Sequence, residues 1–194
     1  MRILAATGNR NKLKEIRRIL EPLGVSIISP DDLGIELHVE ETGKTFKENA
    51  FLKARAYFRE SGLPSLADDS GLCVDALGGR PGIDSAIYCG KGASYERRMS
   101  ALLEELKGVP SDRRTARFVS VICCVIDEET ILYCEGVCRG MIGDRPLGEG
   151  GFGYDPVFYV GNRSFAQLSS NEKDALSHRG KSLREFAAML DERI

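Results

Sequence analysis

The sequence predicts an α/β fold on a mixed sheet. Short apolar runs alternate with segments of helical spacing, a long β-rich hairpin interrupts that alternation, and no linker divides the chain cleanly. The 194 residues suit one domain over 1–194. With 42% hydrophobic and 29% charged residues the chain can bury a sizeable core, which excludes a disordered protein. Lys and Arg total 27 against 29 Asp and Glu, a net charge of -2. No overall basic field is available for nucleic acid or an anionic membrane, so any anion binding must be local. The longest apolar run, Phe118 to Ile126, is nine residues with Ser120 inside it, whereas a spanning helix needs roughly 20. Only Ile3 to Ala6 separate Met1-Arg2 from polar Thr7-Gly8-Asn9, which reads as a native strand rather than a secretory segment, and the expected location is cytoplasmic. Six cysteines contain no C-x-x-C, so reduced, mostly buried thiols are expected.

Taken in order, Ile3 to Thr7 reads as a buried strand, and Leu13, Ile16, Ile19 and Leu20 then mark a helix. Val25 to Ile28 is a second strand, and 38–43 an acidic loop. Thr45-Phe46-Lys47-Glu48 matches a capping box opening a helix over 46–60, stopped by Gly62. Pro64 to Ala67 enters a short strand ending at Asp68-Asp69. Ser94 caps a third helix through Leu106. Arg114 to Ile126 and Ile131 to Arg139 form a hairpin whose first strand, apolar on both faces near its end, should be central. Pro156 to Val160 is strand-like, and one helix runs from Ser169 toward Ile194.

Four segments carry chemistry. Thr7-Gly8-Asn9-Arg10-Asn11-Lys12 leads from a strand to a helix N-terminus, where free N–H groups, the dipole and the Lys12 charge suit a phosphate; the alternative is a simple Asn cap beside a solvated lysine. Asp68 and Asp69 repel each other unless a cation intervenes. Mg2+ takes one or two carboxylates and bridges to phosphates, and Glu40 or Glu41 could supply the second ligand. Against this stands a turn-forming Asp68 and a solvated acidic loop.

Gly148 to Gly153 satisfies G-x-G-x-x-G, with Asp174 about 20 residues on, yet Tyr154 to Tyr159 follows as a strand-like run where the dinucleotide fingerprint needs a helix. Those glycines instead suit close approach of backbone to a ligand, with Phe152 or Tyr154 offering a flat face to a base. On the last helix, Arg179 falls on the stripe of Leu176, Leu183, Phe186, Ala187 and Leu190, so its guanidinium needs an anion, either a core carboxylate or a phosphate. Lys173 and His178 flank that stripe, and a shared site would require the ligand to sit at the helix edge or the helix to bend near Gly180.

Together Thr7-Gly8-Asn9-x-x-Lys12, Glu40-Glu41-Thr42-Gly43-x-Thr45-Phe46-x-Glu48-Asn49-Ala50, Ala67-Asp68-Asp69-Ser70-Gly71-Leu72, Gly79-x-Pro81-Gly82, Gly151-Phe152-Gly153-Tyr154-Asp155-Pro156 and Ser177-His178-Arg179-Gly180 resemble the Ham1-like inosine/xanthosine triphosphate pyrophosphatases. The resemblance runs from Met1 to the last helix. It implies an elongated mixed sheet flanked by helices, two lobes with a substrate cleft between them, and a homodimer. It also implies Mg2+-dependent hydrolysis of ITP, dITP and XTP to the monophosphate and pyrophosphate. By resemblance, Thr7, Gly8, Asn9, Arg10, Asn11 and Lys12 hold the triphosphate, and Asp69 ligates metal and accepts a proton from water, with Glu40 as second ligand. Ser70, Phe152, Gly153, Tyr154, Asp155, Lys173, His178 and Arg179 bind substrate, and Arg179 or His178 as a donor would favour a 6-keto purine. The rival readings are a nucleotide-sensing module without hydrolysis and a pyrophosphatase for other modified nucleotides.

Overall fold

A computed structural model describes residues 1–191. Its strands are β1 (Arg2–Ala5), β2 (Ser26–Ile28), β3 (Ser65–Val74), β4 (Thr115–Val125), β5 (Ile131–Ile142), β6 (Phe158–Val160) and β7 (Arg163–Ser164). The helices are α1 (Arg10–Leu20), α2 (Phe46–Ser61), α3 (Tyr95–Glu105), α4 (Ser170–Leu176) and α5 (His178–Asp191). Among the described residues the strands form one sheet in the order β2-β1-β3-β4-β5-β6-β7. It is mixed, as expected: β1 runs parallel to β2 and β3, and β6 antiparallel to β5 and β7. β4 is central, and a five-residue connection joins it to neighbouring β5. In that connection the Asp127 carboxylate accepts from the N–H groups of Glu129 and Thr130 at 2.9 and 2.7 Å.

The chain divides into two compact units. The first holds Met1–Asp69, Ser120–Gly136 and the segment from His178 onward, and the second holds Ser70–Val119 and Val137–Ser177. Each has its own core. The first packs Ile3, Ile16, Leu20, Leu66, Ile122, Leu183 and Phe186, all but excluded from water. In the second, Phe118, Phe158 and Phe165 interlock with ring centroids 4.6 to 5.9 Å apart, over Leu72 and Leu102. Each buried Leu or Phe stabilises its core by about 1.5 to 3 kcal/mol.

Local chemistry sets the helix boundaries that place the site. Asn9 Oδ1 accepts from the N–H groups of Asn11 and Lys12 at 3.0 and 3.1 Å, so α1 starts where Lys12 lies in its first turn. The capping box of α2 forms: Thr45 Oγ1 accepts from the Glu48 N–H, and Glu48 Oε2 from the Thr45 N–H, both at 3.1 Å. Gly62, at φ +67°, closes that helix.

Two boundaries differ from expectation. β3 does not stop at Asp68-Asp69; it continues to Val74 because Leu72 and Val74 are wanted in the second core, which leaves both aspartates inside a strand and buried. The segment from Ser169 is two helices rather than one. Ser177 takes an extended backbone at φ -68° and ψ 157°, so the break falls there and not near Gly180, and Leu176 leaves the apolar stripe and is exposed. Residues 192–194 of that expected helix lie outside the described residues. All six cysteines are free, and five are buried.

Candidate active site

Successive side chains of a strand alternate faces, so β3 presents Asp68 and Asp69 to different surroundings. Within the first unit Asp68 meets cations on every side. Its Oδ2 accepts from Lys12 Nζ at 2.8 Å and from Arg179 Nη2 at 2.9 Å, while Oδ1 accepts from Ser120 Oγ at 2.5 Å. The Ser120 hydroxyl lies 3.0 Å from that of Ser182, whose Oγ donates to the Arg179 carbonyl at 3.1 Å. Arg179 spends its other terminal nitrogen on Glu15 Oε2 at 2.6 Å, with both side chains buried. Burial alone would raise the Asp68 carboxyl, but Arg179 and Lys12 hold it well below the usual carboxylate range. Lys12, conversely, is lowered by burial and by the nearby charges of Lys53 and Arg179, against the pull of Asp68.

Asp69 belongs to a second cluster. Lys53 Nζ, reaching from α2, donates to Asp69 Oδ1 at 2.7 Å, to Glu41 Oε2 at 2.9 Å and to the Asp68 carbonyl at 3.2 Å. Lys12 Nζ approaches that same carbonyl at 3.3 Å, so two ammonium groups converge on one peptide oxygen. Asp69 Oδ2 is buried with no donor against it. Burial, seconded by the adjacent Glu41 carboxyl, pushes Asp69 up to about 6 despite Lys53. Glu41 is lowered: its burial is outweighed by Asp69 and Lys53 beside it. The two carboxyls thus shift in opposite directions, the more deeply buried Asp69 upward.

The donor set fits a hard dication, since Asp69 keeps one carboxylate oxygen without a donor and a second carboxylate, Glu41, stands beside it, and Mg2+ takes one or two such ligands among waters and phosphates. Among the described residues no three His, Cys, Asp or Glu side chains converge as a full protein cage would require. Both glutamates of the acidic loop are exposed; Glu41 is the carboxylate beside Asp69, and Glu40 is the expected second ligand.

A third cluster lies in the second unit. Lys173 Nζ donates to Asp155 Oδ2 at 2.5 Å and stands 4.5 Å from the centroid of the Phe152 ring. The Phe152 N–H donates to the same carboxylate oxygen at 2.7 Å. Gly151, at φ +67°, is required here, because a Cβ would fall 2.1 Å from Asp155 Oδ2. Tyr154 is a core residue, its hydroxyl donating to the Ser85 carbonyl at 3.0 Å, which leaves Phe152 as the less buried ring. Gly148 and Gly150 make room for the chain itself: a Cβ on either would lie within 2.8 Å of the Ala166 carbonyl. Packing against the Ala166 carbonyl is by itself a sufficient reason for those two glycines. No helix opens in 148–153, in keeping with the rejected dinucleotide fingerprint.

Sequence reasoning thus found Lys12, Asp68 and Arg179, which converge, Asp69, which lies in the neighbouring cluster with Glu41, and Phe152, Asp155 and Lys173, which also converge. It missed Lys53, Glu15, Ser120 and Ser182. Lys53 carried a signal, since it follows the Thr45 cap by two helical turns and could have been aimed at the strand; the serines and Glu15 carried none.

The Ham1 family model matches residues 3–189. This chain belongs to the Ham1 family. Among similar Ham1 relatives, a dITP/XTP pyrophosphatase of Shigella flexneri is 47% identical over 187 residues, covering 94% of each chain. One of Treponema denticola is 46% identical over 188 residues, covering 94% of this chain and 95% of that one. The solved structure of a HAM1 protein from Coxiella burnetii superposes with a TM-score of 0.89 at 41% identity, over 99% of both chains. The Staphylococcus aureus Ham1 protein does so with 0.89 at 37% identity over the whole of both. The Ham1 fold, a mixed sheet flanked by helices, is therefore shared along the full described length.

Proposed function

We propose that this chain hydrolyses non-canonical purine nucleoside triphosphates, ITP, dITP and XTP, to the monophosphate and pyrophosphate, with Mg2+ as cofactor. The observation that carries the reading is Asp69: a buried carboxylate with one oxygen lacking a donor, raised to about 6, beside Glu41 and two lysines. The dITP/XTP pyrophosphatases it resembles give that site its substrate class.

Phosphoryl-type chemistry is mainly positioning and charge neutralisation. Lys12 and Lys53 offer two ammonium charges to a polyphosphate, and Thr7, Gly8, Asn9, Arg10 and Asn11 line the entry to α1. Bound through Asp69 and Glu41 or Glu40, Mg2+ would neutralise phosphate charge and lower the pKa of water. Asp69, in its ionised form, accepts the proton of the attacking water. Asp68 accepts no proton; its oxygens are committed to Lys12, Arg179 and Ser120, so its part is to hold Lys12 and the Asp68-Asp69 peptide in place. Arg179 holds the start of α5, leaving His178 as the side chain offered as donor to a 6-keto oxygen, where adenine presents a donor of its own. Within the second unit Phe152, Gly153, Asp155 and Lys173 are the substrate-binding candidates, with Tyr154 a core support, and Ser70 follows Asp69 on β3. A cytoplasmic homodimer completes the proposal, and sedimentation reads its subunit number.

The test is product analysis with ITP and Mg2+. Equal release of IMP and pyrophosphate supports the reading, saturable binding without pyrophosphate supports a sensing module, and a panel of modified triphosphates exposes a different base preference.

A further inference from the structure

We propose that Lys53 holds the divalent cation's place in the nucleotide-free protein and surrenders it when a triphosphate arrives, so that metal and nucleotide bind synergistically. This rests on the function proposed above. An ammonium has three N–H donors and no acceptor. Lys53 has three oxygen partners within 3.2 Å: Asp69 Oδ1, Glu41 Oε2 and the Asp68 carbonyl. Two of these belong to the carboxylates best placed to hold a dication.

A dication taking both carboxylates would bring two more positive charges against this ammonium and against Lys12, which shares the Asp68 carbonyl with it at 3.3 Å. Like charges at such separations repel by several kcal/mol at an effective dielectric constant of about 20. Lys53 must therefore leave for the metal to settle. Its flexible four-carbon stem, anchored on α2, permits the move. A triphosphate supplies the anion that draws it off and, by reciprocity, whatever strengthens one ligand's binding strengthens the other's by the same factor.

The experiment titrates Mn2+ into the nucleotide-free protein by electron paramagnetic resonance, with and without an α,β-imido analogue of ITP that cannot be cleaved. In wild type the analogue should tighten Mn2+ binding strongly. Lys53→Met should bind Mn2+ at least fivefold tighter than wild type without the analogue, and gain less from adding it. Unchanged or weaker Mn2+ binding by folded Lys53→Met overturns the proposal. Lys53→Gln, which keeps a polar tip, serves as the second variant, with circular dichroism to check folding of both. In wild type the Lys53 13Cε resonance should move when saturating Mg2+ is added; an unmoved resonance overturns the proposal without recourse to any variant. Pyrophosphate release from ITP by wild type is scored separately, so loss of the functional reading and loss of the Lys53 exchange are distinguishable.

Discussion

Arg179 on α5 and Asp68 on β3 meet at 2.9 Å, with 2% and 0% of their side chains exposed. A carboxylate so deeply held by a guanidinium, a lysine and a hydroxyl cannot also turn to a metal, and a guanidinium bound to two carboxylates is engaged before any substrate enters. Removing one partner of such a buried pair typically costs about 3 to 5 kcal/mol, because the other charge stays buried. Arg179→Ala should therefore lower the midpoint of urea unfolding markedly. Arg179→Lys should rescue it only in part, since an ammonium cannot reproduce the two-pronged contact with Glu15 and Asp68. The activity that survives should retain its preference for ITP over ATP, measured as a ratio of kcat/KM.

The two adjacent aspartates should separate cleanly in mutagenesis. Asp69→Asn removes the proton acceptor with little change of shape, and turnover of ITP should fall by at least 100-fold in a protein that still folds. Asp68→Asn leaves Arg179 and Lys12 facing a neutral amide, so its principal effect should be on unfolding, by about 3 kcal/mol or more. A stable Asp68→Asn protein that has lost all turnover would contradict this division of labour.

Much of this arrangement was legible in the sequence because it depends on local rules. Thr45 caps the helix it was expected to cap, Asn9 takes the capping role that the alternative reading left between Asn9 and Asn11, and the helix phase put Arg179 on a buried stripe, where it could only face an anion. What could not be read is which anion. Glu15 precedes Arg179 by 164 residues, and no period links Ser120 on β4 to Ser182 on α5. The Glu40-Glu41 choice was equally closed to spacing, because a loop imposes no alternation. The strand through Asp68-Asp69 was cut short for a related reason: two charges inside an apolar run read as a turn unless their buried partners are known. Ser177 gave only a weak sign, since serine favours helix N-caps but no Glu or Gln stands three residues on to complete a capping box.

The raised Asp69 gives opposite pH signatures for activity and stability. At limiting Mg2+ the ionised form is needed to take the metal, so kcat/KM for ITP should climb as pH rises through about 6. Stability runs the other way. The folded protein binds this proton more tightly than the unfolded chain, whose carboxyl titrates near 3.8, so this group's contribution declines as pH rises between about 4 and 6, by at most about 3 kcal/mol. Asp68 acts in the reverse sense, with stability present above its unfolded value and lost as pH falls toward its depressed folded one. Asp69→Asn should abolish the decline between pH 4 and 6 in thermal melts of the nucleotide-free protein while sparing the loss at lower pH.

Gly136 tests whether the position of α5 sets the site. On β5 this residue lies against the first turn of α5, and a Cβ added to it would stand 1.9 Å from the His178 carbonyl oxygen and 2.7 Å from the Ser182 nitrogen. Both are backbone atoms, so no side-chain rotation relieves the clash and the helix itself must move. That helix carries His178, Arg179 and Ser182, of which Arg179 is fixed to Glu15 and Asp68, so the displacement pulls on the buried ion pairs as well as on packing. Overpacking of this kind costs about 1 to 3 kcal/mol, and more where hydrogen-bonded charges are disturbed. For a chain of this size each kcal/mol shifts Tm by about 2 to 4 °C. Gly136→Ala should thus lower Tm by about 5 °C or more and reduce kcat for ITP, although the residue lies outside the proposed substrate-binding set. An unshifted Tm with full activity would mean that α5 can slide on β5 without cost, and that Arg179 is held by its carboxylates alone.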